Sequence, residues 1–199
     1  LSALRPDCRL VLVGDPDQLP SVGPGNVFSD LIRSGRVETA ALTEIFRQAQ
    51  ASAIIRAAHA VNQGQLPELK NGSHSDFFFM RRRDPLVVDL CRKRLPENMG
   101  VQPGQIQVLC PTRKGEWGTG ALNRALQAAL NPPAPGKRQK VWGDTVFRVG
   151  DRVMQIKNNY DVLWTREDGL TGSGIFNGDV GQVEDIDPAG ELMTVRFDD

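Results

Sequence analysis

The chain has 199 residues, of which 40% are hydrophobic and 24% charged, and its 24 basic and 24 acidic side chains cancel to a formal net charge of zero. This is the balance of an ordinary globular protein with room for one or two cored domains, and bulk charge gives no vote for a polyanionic partner. No apolar run approaches the roughly 20 residues that cross a bilayer, and Leu1 to Pro6 lacks the basic-then-apolar layout of a signal peptide, so the expectation is a cytoplasmic protein with no membrane partner.

From Arg9 through Val13 the chain is almost continuously apolar and ends at Gly14, as in a strand buried on both faces of a parallel sheet. A loop rich in Gly, Pro and Asp runs to Gly25. Asn26 to Ser34 reads as a short helix with Phe28, Leu31 and Ile32 inward and Gly35 past its end. Val37 to Leu42 is a candidate strand. Ser52 to Asn62 reads as a helix with Ile54, Ala58 and Val61 on one face, flanked by Ile55 and closed by Gly64. Phe77 to Met80 reads as a short buried strand. Asp84-Pro85 then caps a helix with Leu86, Val87, Leu90 and Cys91 inward and Arg92, Lys93 and Arg94 outward, ended by Pro96.

Gln105 to Cys110 is a third candidate parallel strand. Thr119 to Leu130 follows helical spacing through Leu122, Ala125, Leu126, Ala129 and Leu130. Strands alternating with helices imply a layered α/β domain. Asn131-Pro132-Pro133-Ala134-Pro135-Gly136 breaks that pattern. Beyond it Val146 to Ile156 reads as one or two strands around Gly150-Asp151, Asn177-Gly178 is a hairpin signal, and Leu192 to Phe197 alternates. A small β-barrel or meander fits this end.

Cys8, Cys91 and Cys110 are odd in number, far apart and in apolar contexts, which predicts buried, reduced thiols. The basic clusters Arg81-Arg82-Arg83, Arg92-Lys93-Arg94, Arg113-Lys114 and Lys137-Arg138 with Lys140 read singly as solvated faces, although a groove needs charge only where phosphates run.

Chemistry concentrates in Gly14-Asp15-Pro16-Asp17-Gln18-Leu19-Pro20, at the carboxyl end of the first candidate strand, where open α/β sheets bind ligands. Gln18 on a proline-stiffened loop could bond a phosphate oxygen or an attacking water. Equally, Asp15 and Asp17 could bond their own backbone in a well-made turn. A two-carboxylate metal site is a third possibility that the Pro-x-Gln setting disfavours.

Gly14 to Gly25, read as Gly-Asp-Pro-Asp-Gln-Leu-Pro-Ser-Val-Gly-Pro-Gly, resembles motif III of superfamily-one helicases in its RecD-like form. The resemblance implies that Gly14, Asp15 and Gln18 border the ATP and that Gln18 senses the γ-phosphate. Leu42-Thr43-Glu44-Ile45-Phe46-Arg47-Gln48 is similar to motif IV, which would make Arg47 an arginine finger; by itself, an Arg after an aromatic is a surface or salt-bridge residue. Val108 to Lys114 with Gly118 to Asn123 resembles the strand–loop–helix of the second motor domain that grips single-stranded DNA. Thr112 and Asn123 would be the principal contacts, Thr119 would add a hydroxyl at the helix start, and Arg113 and Lys114 would support them electrostatically. The plainer alternative is Thr119 as a helix cap and a solvated basic pair, and Trp117 either stacks a base or packs. Phe147 to Tyr160 with Gly174 to Gly181 looks like the SH3-like barrel inserted in that domain, and Lys157 to Tyr160 are either DNA contacts or solvated turn residues.

The resemblance thus implies an α/β chain with parts of two RecA-like, P-loop-type motor domains and a small SH3-like β-barrel insertion. Residues 1–48 would end the first domain, 49–140 begin the second, and 141–199 form the insertion. The implied parent is an ATP-dependent helicase translocating 5′ to 3′ on single-stranded DNA in repair or recombination, alone or with other exonuclease V subunits. Its cofactors would be ATP and Mg2+. No Gly-x-x-x-x-Gly-Lys-Ser/Thr phosphate loop occurs in the sequence and the chain lacks an initiating Met, so the expectation is an internal fragment that binds no cofactor tightly and does not itself turn over ATP. A Pif1-like or relaxase-linked helicase and a non-motor nucleic-acid-binding module are the alternatives. A nuclease is disfavoured, because no acidic metal cluster stands out.

Overall fold

The structure is a computed structural model that describes residues 4–5, 7–18, 23–42, 51–72, 75–81, 86–187, 189 and 191–198. The chain divides into two units, residues 1–81 and 82–199.

Among the described residues of the first unit there are two helices. Helix α1 spans Val27–Arg33 after Asn26, and Gly35 ends it with a left-handed φ of 62° that a side chain would strain. Phe28, Leu31 and Ile32 are half-buried on its inner side, as the spacing predicts. Helix α2 spans Ala53–Asn62, and its N-cap Ser52 accepts a hydrogen bond from Ile55 N through its hydroxyl. Its inner face differs from the sequence reading. Ala57 is buried, whereas Ile54 and Val61 are 51% and 61% exposed. Ala58, also expected inward, is exposed, while Ala53, Ile55 and Ala60 are half-buried, so the buried side lies around Ala57 rather than along Ile54, Ala58 and Val61.

Asp76 anchors α2 from outside. Its Oδ2 accepts from the Ser52 hydroxyl at 2.5 Å, and its Oδ1 accepts from Ala53 N at 2.7 Å and Ile54 N at 3.4 Å. A carboxylate on the open amides of a helix N-terminus is favoured by the helix dipole. The Ser52 hydroxyl, helped by those amides, holds the Asp76 carboxyl below its ordinary 3.8.

The strands expected in this half do not form among the described residues. Leu10 to Val13, Val37 to Leu42 and Phe77 to Met80 carry no strand; Val11 and Val13 are 73% and 93% exposed, and Phe78, Phe79 and Met80 are exposed as well. The composition of a central strand states what it can bury against, but a strand exists only where another lies beside it. Phe79 shows the substitute. Its N–H donates to Asn71 Oδ1 at 2.9 Å and its carbonyl accepts from Asn71 Nδ2 at 3.0 Å, so one amide side chain imitates a ladder partner.

The second unit opens with α3 (Leu86–Asp89), a π-helical turn (Leu90–Arg94) and α4 (Leu95–Met99) in continuous sequence. Pro96 does not end the helix, contrary to the sequence reading. It sits in the first turn of α4, where its missing N–H costs nothing, and the preceding turn widens so that Leu95 N reaches Leu90 O. Gly100, at φ 67°, is the stop. Cys91 is buried and Arg92 to Arg94 are exposed, as expected. Burial pushes the Cys91 thiol up, away from the thiolate. Cys110 is half-buried, but Cys8 is exposed, which corrects the expectation of three buried thiols. Gln105 to Cys110, expected as a strand, carries none; a short 3-10 turn over Pro103–Gln105 precedes it and Leu109 is 88% exposed. Helix α5 spans Thr119–Leu130 with Leu122 buried.

Seven strands follow: β1 Gln139–Trp142, β2 Thr145–Arg148, β3 Arg152–Met154, β4 Asn159–Thr165, β5 Thr171–Ile175, β6 Val180–Asp187 and β7 Leu192–Phe197. The fold is mixed α/β as expected, but among the described residues the barrel is not closed. The strands form three antiparallel sheets, β1-β2, β3-β6-β7 and β4-β5. Closure requires an unbroken ladder around the axis, and a three-residue β3 is too short to carry one. Asn177-Gly178 is the instructive miss. It turns the chain between β5 and β6, which lie in different sheets, and Gly178 N donates to Gln155 O instead of closing a hairpin.

The β core is centred on β6. Val183 and Ile186 are each 1% exposed although they lie three residues apart. A bulge explains this: Val183 pairs with Val195 and Asp185 with Thr194, so Glu184 is the extra residue and the alternation resets behind it. Gly172 lies under the Trp164 ring, where an added Cβ would come within 2.2 Å of it.

Because the Asp76 carboxyl is lowered in the folded state, its contribution is present above its ordinary value and is lost as pH falls below 3.8 through the folded value. Asp76→Asn should therefore remove that acid-dependent part of α2 protection while wild type retains it, as read by amide exchange of residues 53–57 across the acid limb. Identical acid profiles for the two proteins would refute the assignment.

Candidate nucleotide-sensing turn and nucleic-acid loop

The turn after Val13 is built on Asp15. Its Oδ1 accepts from Asp17 N at 3.0 Å, its Oδ2 from Gln18 Nε2 at 3.3 Å, and its carbonyl from Gln18 N at 3.4 Å. Asp17 reaches instead to α2, where Asn62 Nδ2 donates to its Oδ2 at 2.7 Å. From α1, the Ser29 hydroxyl donates to Pro16 O at 3.4 Å, and the Phe28 ring lies against Gly14, where an added Cβ would stand 3.3 Å away. Helices α1 and α2 thus both reach this turn, and Gly14, Asp15 and Gln18 are exposed on it. Asp15 behaves as a turn former, and the Gln18 amide is drawn back onto it. Arg47 lies outside the described residues, as do Leu19 to Val22.

The other candidates share one loop in the second unit. Thr112 Oγ1 donates to Lys114 O at 2.8 Å, Thr119 N donates to Thr112 O at 3.1 Å, and Gly118 N to Gly115 O at 3.1 Å. Gly115 holds a left-handed φ of 89°. Gly118 is required by space: a Cβ there would lie 2.6 Å from both Arg113 O and Lys114 O. The loop therefore closes on itself immediately ahead of α5. Thr119 is the first helical residue and Gly118 the N-cap, so Thr119 is not the capping residue. Thr112, Arg113, Lys114 and Asn123 are exposed and Thr119 is half-buried.

Arg124 is a neighbour that sequence reasoning passed over. Its Nη1 comes within 3.8 Å of where a Gly120 Cβ would sit, so its guanidinium folds back over the first turn of α5. The i, i−4 spacing from Gly120 was the available signal. Among the described residues, Arg113, Lys114 and Arg124 take part in no ion pair. The cluster at 137–140 differs: Arg138 pairs with Asp185 at 2.8 Å, Lys140 with Glu191 at 3.3 Å, and Lys137 Nζ donates to Asn131 Oδ1.

Among the described residues, no group of three His, Cys, Asp or Glu side chains could hold a metal ion. No helix is long and apolar enough to cross a membrane.

Residues 122–197 match the family model described as the SH3 domain of ATP-dependent RecD-like DNA helicases, and residues 1–78 match one described as an AAA domain. The class is therefore an AAA-type segment with a helicase SH3 domain. The chain is similar to the ATP-dependent RecD2 DNA helicase of Deinococcus radiodurans, at 36% identity over 202 residues, covering 100% of this chain and 24% of that protein. It is also similar to the RecBCD enzyme subunit RecD of Mycolicibacterium smegmatis, at 29% identity over 92% of this chain and 33% of that one. The RecBCD subunit RecD of Mycobacterium tuberculosis is 30% identical over 91% of this chain and 32% of its own length. The chain belongs to the RecD-like DNA helicase family, and it spans between 24% and 33% of the length of these relatives.

Gly118→Ala should force the 113–114 backbone to move, at a cost of about 1–3 kcal/mol. Faster exchange of the Thr119 amide, with the β strands unaffected, is the expected reading; unchanged exchange at Thr119 would show that the loop is not closed in this way.

Proposed function

We propose that this chain is part of a DNA helicase that couples ATP hydrolysis to movement along single-stranded DNA. The observation that carries this reading is the self-closed basic loop from Thr112 to Gly118 leading into α5, in a chain whose following residues match a RecD-like helicase SH3 domain. In this reading Thr112 and Asn123 contact phosphates or sugars, Thr119 adds a hydroxyl and the positive end of α5, and Arg113 and Lys114 supply counter-charge. Gln18 senses the γ-phosphate beside Gly14 and Asp15, and Arg47 supplies the arginine finger. A guanidinium suits this role because phosphoryl transfer spreads charge over oxygens that a planar fork of donors can stabilise.

Residues 1–48 would end a first RecA-like domain, 49–140 begin a second, and 141–199 form an SH3-like insertion. ATP and Mg2+ would serve the intact protein, with phosphate and metal held by residues other than these. Translocation from 5′ to 3′, a place in DNA repair or recombination in the cytoplasm, and association with other exonuclease V subunits extend the reading by family likeness; two relatives named as RecBCD subunits support the last.

The chain of 199 residues should show no DNA-stimulated phosphate release, because it contains no phosphate-loop lysine. Turnover by the pure chain that rises with added oligonucleotide would overturn this. In the full-length protein, Arg47→Ala should lower kcat for ATP by about 10³-fold or more while nucleotide binding persists. Wild-type turnover in that variant would remove Arg47 from the mechanism.

A further inference from the structure

The loop from Thr112 to Gly118 has two roots, the segment from Pro103 to Pro111 before it and α5 after it, and adjacent residues of the β module hold both. Asp151 takes the far half of α5: its Oδ2 accepts from Gln127 Nε2 at 2.5 Å and its Oδ1 from Asn131 Nδ2 at 2.7 Å. Arg152 takes the other root, with Nη1 donating to Gly104 O. Arg148 N completes the Asp151 carboxylate at 2.8 Å, and the Arg148 side chain, itself 7% exposed, donates to Asn131 O and to Gln139 Oε1.

The corner that makes these contacts is fixed from behind. Gly150 N donates to Val183 O and Val183 N to Asp151 O, both at 2.8 Å, and Val183 is 1% exposed in the sheet core. Gly150 holds a left-handed φ of 90°, which a side chain would strain, and it lies beside the Asn131 amide, 3.4 Å from where a Cβ would stand. Helix α5 is the stiff arm between corner and loop, its 12 residues spanning about 18 Å. At the other end, Thr119 N on Thr112 O closes the loop.

We propose that Asp151 and Arg152 are positioning residues for the candidate DNA loop: the β module fixes the separation of the loop's two roots and so presents Thr112, Arg113 and Lys114 in one geometry. Pinning both ends removes loop conformations that DNA would otherwise have to select against. The binding half of this proposal rests on the DNA reading of the loop, while the bracing half does not.

Hydrogen exchange and fluorescence anisotropy with an oligothymidylate of about 12 nucleotides test it on the 199-residue chain. Arg152→Ala removes an exposed side chain and leaves the sheet core intact. It should raise exchange across residues 112–122 about threefold or more and weaken oligothymidylate binding by a similar factor. Arg152→Lys, which retains a donor for Gly104 O, should restore both. Asp151→Asn should act in the same direction as Arg152→Ala. Lys114→Ala should weaken binding and lower its salt slope by about 0.7 without raising loop exchange. If the extra exchange in Arg152→Ala stays within residues 146–156, the brace is refuted. If the wild-type chain binds no oligothymidylate, the DNA reading of the loop fails, and the exchange comparison still decides the brace.

Discussion

One half-buried carboxylate joins helix to sheet in the second unit. Asp151 accepts from Gln127, Asn131 and the Arg148 amide at once, and an ionised acceptor makes each bond worth about 1.5–3 kcal/mol in net terms. Its own carbonyl accepts from Val183 N, which extends the joint into β6. Around it, Asn131 serves as acceptor for Lys137 and donor to Val149 O, so the proline-rich stretch after α5 is folded onto the same centre. The matched SH3 family model begins at residue 122, inside α5, in keeping with a helix that belongs physically to the β module it abuts.

The first unit is organised differently. Helices α1 and α2 are tied to neighbouring loops by polar side chains: Asp76 on the α2 N-terminus, Asn62 on Asp17, Ser29 on Pro16. These fastenings are polar, and they leave Leu10–Val13 and Phe78–Met80 exposed. The turn carrying Gln18 is well made, but an exposed turn does not by itself make a nucleotide site. Phosphoryl chemistry needs cations and a metal-binding carboxylate set, and among the described residues no such set is present.

Basic residues also divide by use. Arg138 and Lys140 are engaged with acidic partners across the β module, whereas Arg113, Lys114 and Arg124 gather at the start of α5 without one among the described residues. A net charge of zero hides this division, because what matters to a phosphate is local counter-charge that is not already neutralised. That distinction separates cations already neutralised by acidic partners from cations that have no ion-pair partner among the described residues.

By itself the sequence determined the local elements and the motifs. The positions of helices α1, α2 and α5 were legible from local spacing, as were the Ser52 cap of α2 and the stops at Gly35 and Gly64, because those signals act within a few residues. The Gly14–Gln18 turn and the Thr112–Asn123 loop were legible as motifs for the same reason. What the tertiary structure decided was everything that needs a distant partner. Leu10–Val13 reads as a strand but pairs with none among the described residues, Asn177-Gly178 turns between sheets instead of closing a hairpin, and Ala57 rather than Val61 faces inward on α2. The bulge that places both Val183 and Ile186 in the core, the Arg124 guanidinium over Gly120, and the grip of Asp151 and Arg152 on the two roots of one loop are likewise long-range or packing events. Pattern records what a residue can bury or bond, and only the folded chain fixes which neighbour it meets.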